Sequence, residues 1–187
     1  GLAGSSASVS VTGYFTSEAA NATTARIGSE TTVILTGNAV ILASERTTLK
    51  AVAGAASGGG FAAGGSVAIA IMNGTSQVEI LGTVTADGNV TVTAENSITG
   101  TEFTAKAGTA GIIGLGAAIA YMDVTGTTQI IIGDTGNISG KNGVAGNAGL
   151  TVNVNPTADG FAGGWAAAGL AAARLKVTGK TMIKTAP

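Results

Sequence analysis

Gly37-Asn38-Ala39-Val40-Ile41-Leu42-Ala43 and, 51 positions on, Gly88-Asn89-Val90-Thr91-Val92-Thr93-Ala94 are two copies of one pattern. A Gly-Asn turn is followed each time by β-branched and small residues. Two more markers recur at a similar distance. Ala-Ile-Ala at 68–70 returns at 118–120, and Val124-Thr125-Gly126 returns as Val177-Thr178-Gly179. Self-similarity at a fixed period is the mark of an array whose units cover each other's hydrophobic faces. Ser8-Val9-Ser10-Val11 aligns with Ser66-Val67-Ala68-Ile69, and Val177 opens a further unit. Residues 1–187 thus read as one repetitive array of about three units of about 51 residues, incomplete at both ends and without an internal domain boundary. No atypical capping unit is visible, which predicts a slice of something longer.

Within the units the strand signal dominates. Val90, Val92 and Ala94 alternate with Thr91 and Thr93, and Leu150, Val152 and Val154 alternate with Thr151, Asn153 and Asn155. Period-2 alternation puts the apolar set on one face. Ser66–Ile71 alternates small and large residues, which predicts a strand buried on both faces. Asp87-Gly88-Asn89, Thr36-Gly37-Asn38, Gly133–Asn137 and Ala158-Asp159-Gly160 supply turn residues that tolerate positive φ. Each unit also has one Gly/Ala-rich stretch, at 53–65, 107–116 and 160–173. A membrane helix needs about 20 apolar residues, and the uninterrupted runs here are shorter, so no membrane span is expected. Tiny side chains where layers approach closely are expected instead. From Gly88 to Ala148 the offset grows to 60, which predicts about nine inserted residues around Gly140–Asn147, looped out on one face.

Charged residues make up 10% of the chain against about 25% in an ordinary soluble domain. With 45% hydrophobic residues the chain is nevertheless too apolar to be disordered. Nine basic residues balanced by ten acids disfavour a nucleic-acid partner. Histidine and cysteine are absent, which excludes a Ser-His-Asp triad, thiol nucleophiles and imidazole or thiolate metal ligands. Gly1-Leu2-Ala3-Gly4 does not open a signal peptide, so if the protein is exported its address is expected upstream.

The remaining chemistry is thin. The acids are scattered singly, and stacking at offset 50 would bring Glu45 and Glu95 into one column, the best pair for glycoside hydrolysis. Solvated turn carboxylates are the plainer reading, Asp87 and Asp134 capping their own turns. Gly179-Lys180-Thr181 imitates the end of a phosphate loop, but the first glycine would fall on Arg174. Gly111–Gly116 has dinucleotide-like glycines in the wrong order. The Asn-x-Ser/Thr sites at Asn21, Asn73, Asn89 and Asn137 follow from the abundance of threonine. No catalytic, cofactor-binding or metal-binding residue is assigned.

The repeated blocks also carry a likeness. An Ala/Gly stretch, then Gly65-Ser66-Val67-Ala68-Ile69-Ala70-Ile71-Met72-Asn73, then Thr75–Gly82, then Asp87–Asn96, resembles bacterial filamentous exoproteins of the leukotoxin-type and filamentous-haemagglutinin-like adhesins. The resemblance implies a right-handed parallel β-helix, secretion through a partner pore and display at the cell surface. An all-β solenoid agrees with the patterning. Two coils of about 25 residues per unit would give about seven coils and a rod of about 35 Å. Repeated β-sandwich units with strand exchange between copies are the alternative fold.

The functional expectation is a structural, self-associating and non-catalytic segment of an extracellular filament or adhesin stalk. It would continue in a larger chain or meet further copies end to end, with a host-cell or glycan receptor as a further partner. Leu2–Val11 is uncharged, and Arg174–Lys184 has four basic residues and no acid, so neither end strongly repels an incoming strand. The competing expectation is a carbohydrate-active or carbohydrate-binding β-helix, using Glu45 and Glu95 with aromatic platforms from Trp165, Tyr14, Tyr121 or Phe161.

Overall fold

The computed structural model describes residues 7–186, and every regular element among them is a strand. In chain order these are β1 (Ala7–Ile27), β2 (Thr32–Leu35), β3 (Ala39–Ile80), β4 (Thr83–Ala86), β5 (Asn89–Ile132), β6 (Asn137–Gly140), β7 (Gly143–Asn153), β8 (Pro156–Gly163) and β9 (Ala166–Thr185). All pairings among the described residues are parallel: β1-β3-β5 with β7, β8 and β9 in one sheet, and β2-β4-β6 in the other. Sandwich units built from hairpins would require antiparallel neighbours. Parallel neighbours instead need a long connection, and here that connection is the rest of the unit.

The long strands fold back on themselves. In β3, Ser76 Oγ donates to the carbonyl of Ala43 at 2.8 Å. Ala51 and Ala53 share one core cluster with Ala68, Ala70 and Met72. A unit is therefore a first arm (39–58 in β3), a bend at Gly58–Gly60, and a second arm (61–80) facing the first. β5 repeats this as 89–110 and 113–132, and the third unit as β7–β8 followed by β9. The short strands β2, β4 and β6 close each unit. Gly59 and Gly164, with φ of +145° and +153°, turn the backbone where an L side chain is strained.

The register decides how high the array stands. Ala39 lies on Val90, 51 residues on, as the Gly-Asn pattern predicts. Val124 lies on Val177 and Gly126 on Gly179, again as predicted. Each unit adds a single layer, since paired residues are a whole repeat apart. The expectation of two coils of about 25 residues is corrected accordingly: an arm of about 20 residues is about 65 Å long, and four layers rise only about 14 Å. Three sequence alignments also shift. Ala68 pairs with Ala120 rather than Ala118, because the ladder runs at an offset of 51 up to Leu49 and of 52 from Lys50 on, and nowhere at 50. Ser8 pairs with Ala62 rather than Ser66. Ala148 pairs with Ala94 rather than matching Gly88, and Asn89 pairs with Gly143, so Gly140 and Gly143–Asn147 are in the ladders with a two-residue turn between them, and the nine-residue loop does not exist. The true extra length is three residues, 54 against 51: one at the shift between Leu49 and Lys50, and two in the turn 133–136, which replaces residues 81–82.

Two core clusters fill the space between the arms. Val90, Val92 and Ala94 point inward and are buried, with Thr91 and Thr93 outside, as the alternation requires. Ser66–Ile71 departs from its expectation. Ser66, Ala68 and Ala70 are buried, while Val67 and Ile69 are half-buried and Ile71 is exposed, so one face is covered rather than two. The glycine-rich stretches show why small residues go in. A Cβ on Gly116 would collide with the Phe161 carbonyl, and one on Gly160 or Gly169 would strike the opposite arm's backbone. Gly88 also serves close approach rather than positive φ: its Cβ would meet Asn38 Oδ1, which accepts the Asn89 N–H at 2.8 Å.

Candidate interaction surfaces

The register separates the one carboxylate pair singled out from the sequence. Glu45 lies on Asn96, and Glu95 lies on Ser44. Successive residues of a strand point to opposite faces, so a one-residue slip sends the two acids to opposite sides. Glu45 is buried, with Oε2 accepting from Thr23 Oγ1 at 3.3 Å, whereas Glu95 is exposed. Glu45 Oε1 and both polar atoms of the Asn96 side chain are buried without a hydrogen-bond partner. Inverting and retaining glycosidases both need two carboxyls flanking one bond, and these two acids do not flank anything together.

The aromatic residues are dispersed. Trp165 is 93% exposed at the bend between β8 and β9. Phe161 is exposed on the outside of the first arm. Tyr121, outside the second arm, donates to Asp123 Oδ2 at 3.4 Å. The side chain of Tyr14 lies outside the described residues, as does that of Asn21. A polar groove of about 310 Å³ on the first arm is lined by Arg46, Glu95, Ser97, Asn147 and Thr151. No aromatic ring lines it. Gly179-Lys180-Thr181 is extended strand within β9, and a phosphate loop is neither possible nor needed there. Gly111–Gly116 lies across the bend and the start of the second arm. Among the described residues no group of three acidic side chains could hold a metal ion, and no helix is long and apolar enough to cross a membrane.

Charge is arranged in ladders. Arg26 pairs with Glu79 at 3.0 Å, Lys50 with Glu102 at 3.2 Å, and Lys176 with Asp123 at 2.8 Å. Each pair joins register partners on adjacent layers. The hydrogen bond and charge of Asp123 hold the Lys176 ammonium above the usual lysine pKa. Gln129 Nε2 donates to Gln77 Oε1 at 2.6 Å, and Thr104 meets Thr157 at 2.9 Å, so like side chains also stack in columns. Such exposed pairs add little stability individually. Their use is to specify which layer lies on which.

The largest exposure of would-be core is at β9. Inward columns that are sealed in the middle layers stay open there. Met122, Val124 and Ile130 are at most 1% exposed, while their partners Leu175, Val177 and Ile183 are 38%, 46% and 53% exposed. No charged residue from the sequence reading marked this surface except the basic run Arg174–Lys184. The signal that could have found it is the continuation of the inward alternation through Leu175, Val177 and Ile183.

No family model, curated protein or solved structure matches the chain.

Proposed function

We propose that this chain is a structural, non-catalytic segment of a bacterial extracellular filament or adhesin stalk, folded as a right-handed parallel β-helix. The open core at β9 carries the reading. Leu175, Val177 and Ile183 continue sealed columns and face inward with no layer above them among the described residues. The β9 edge also pairs on one side only among the described residues, which leaves backbone N–H and C=O groups for a further strand. A next layer, from a longer chain or from another copy stacked end to end, would satisfy both at once. Covering those columns removes apolar surface from water at about 25 cal/mol per Å². Parallel in-register layers with like-on-like columns are the arrangement that extends without limit. The cell-surface setting rests on the resemblance of the repeats alone.

Electron microscopy tests the reading. The chain at high concentration should form elongated assemblies, and Val177→Lys with Ile183→Lys should leave short particles. A compact monomer at high concentration, with the lysine variant indistinguishable from it, would refute end stacking. The polar groove around Arg46 and Glu95 favours a second reading, glycan binding on the first-arm face. Loss of binding to a polysaccharide panel in Glu95→Gln would support it.

A further inference from the structure

The outward face of the second arm divides sharply in two. From Asn73, Asp123 and Lys176 toward the closing strands it is mostly polar or charged, with Ile131 and Met182 the apolar members. Toward the bend, the stacked columns read Phe61–Ile113–Ala166, Ala63–Leu115–Ala168, Gly65–Ala117–Leu170 and Val67–Ile119–Ala172. Residues 51–78, 107–122 and 160–173 contain no charged side chain. Phe61, Leu115, Ile119 and Leu170 are about half exposed or more. The inside cannot take this bulk, because the two arms approach too closely around Gly64 and Gly116. Large residues therefore face out and alanines face in.

We propose that this face docks a second copy of the chain, sheet against sheet, side by side rather than end to end. Three observations select that occupant. First, the face is self-complementary: Leu115 and Leu170 stand as ridges beside a hollow of about 330 Å³ floored by Ala63, Gly65, Ala117 and Ala168. Under a two-fold axis each copy's leucine enters the other's hollow. Second, nothing on the face repels its own kind, and the chain's net charge is −1. Third, the size is right for a repeating contact. Eight residue steps by three layers give about 400 Å² per copy, or about 800 Å² for a pair, below the 1,200 Å² of stable complexes. Every further unit adds about 130 Å² per copy, so the contact is weak for one segment and strengthens along an array. A lipid surface fits less well, because the flanking β9 edge carries unpaired backbone groups that hydrocarbon would not satisfy.

The absence of native cysteine makes the test direct. Ala117→Cys sits in the face, and Thr151→Cys sits exposed on the first arm's polar side. Under mild oxidation Ala117→Cys should form disulfide-linked dimers at least about tenfold faster than Thr151→Cys, because docking raises the effective thiol concentration. Adding Leu115→Glu and Leu170→Glu should abolish the difference, and the milder Leu170→Ala should reduce it with the β circular dichroism unchanged. Val177→Lys with Ile183→Lys should leave it intact, which separates this contact from end stacking. Equal rates for the two cysteines, or a rate untouched by the glutamates, would overturn the proposal. So would flotation of the chain with phosphatidylcholine–phosphatidylglycerol vesicles that Leu170→Glu abolishes, since lipid would then be the occupant.

Discussion

β5 and β9 present the same columns to opposite fates. Val78 and Ile130, paired in β3 and β5, are 0% and 1% exposed, and Ile183 on the next layer is 53% exposed. The side chains are alike and the inward direction is shared. What differs is a layer above. Burial in a stacked array thus belongs to a position in the stack and not to the residue, and a side chain that is core in a middle layer is exposed in the outermost described layer. The two arms make the same point across the stack. The first arm's outside mixes Arg46, Glu95, Lys106 and threonines with the exposed Val40, Leu42, Val52 and Phe161, whereas the second arm's outside near the bend carries Leu115, Ile119 and Leu170 with no charge among them.

The sharpest way to break the comparison is a matched pair of truncations. Ile130→Ala should destabilise the chain by about 2–5 kcal/mol, the range for emptying a sealed core position. Ile183→Ala should cost well under half of that, since much of its surface is already in water. Urea denaturation of dilute protein checks both. Equal losses would mean that β9 is covered in solution.

Glycines give an intermediate effect and sharpen the role of arm contact. Gly116→Ala would push a Cβ into the Phe161 carbonyl, with the Ala107 carbonyl 3.6 Å away, and backbone cannot step aside cheaply. A loss of about 1–3 kcal/mol is expected. Gly149→Ala meets nothing within 4 Å and should be neutral or stabilising by up to about 1 kcal/mol, through a less flexible unfolded chain. Thermal unfolding of the two variants reads the contrast.

The smallest effect belongs to the charge ladder. The Lys176 pKa is raised by its hydrogen bond to Asp123. A raised folded-state pKa contributes stability that is complete below the ordinary lysine value and is lost as pH rises through the folded value. The loss should therefore fall above about pH 10.5. Asp123→Asn should return Lys176 to the ordinary range, seen by NMR titration of its side chain, with little change in unfolding midpoint near neutrality.

Strand class and inward face were legible wherever period-2 alternation was clean, as at Val90-Thr91-Val92-Thr93-Ala94. The turn at Gly37-Asn38 and its copy also set the first register correctly. Register failed where composition is nearly uniform. Ala-Ile-Ala at 68–70 is identical to 118–120, yet its partners are Ala120-Tyr121-Met122, because the continuous ladder and not the local three-residue match chooses the register. The same weakness produced the false loop at Gly140–Asn147. It also put Glu45 and Glu95 in one column, an error of a single residue that changes face.

What the sequence alone determined is the repeat length, the all-strand character and the absence of imidazole and thiol chemistry, because these depend on residue identity and local period. Tertiary structure decided that one unit makes one layer, that the arms fold face to face, and that alanine goes inside while leucine goes out. Those outcomes depend on how closely two backbones approach across the interior. Hydrophobicity sends a side chain out of water, but the space available decides which side of the strand receives it. Between arms held at glycine distance there is room for a methyl group and not for Leu115 or Leu170.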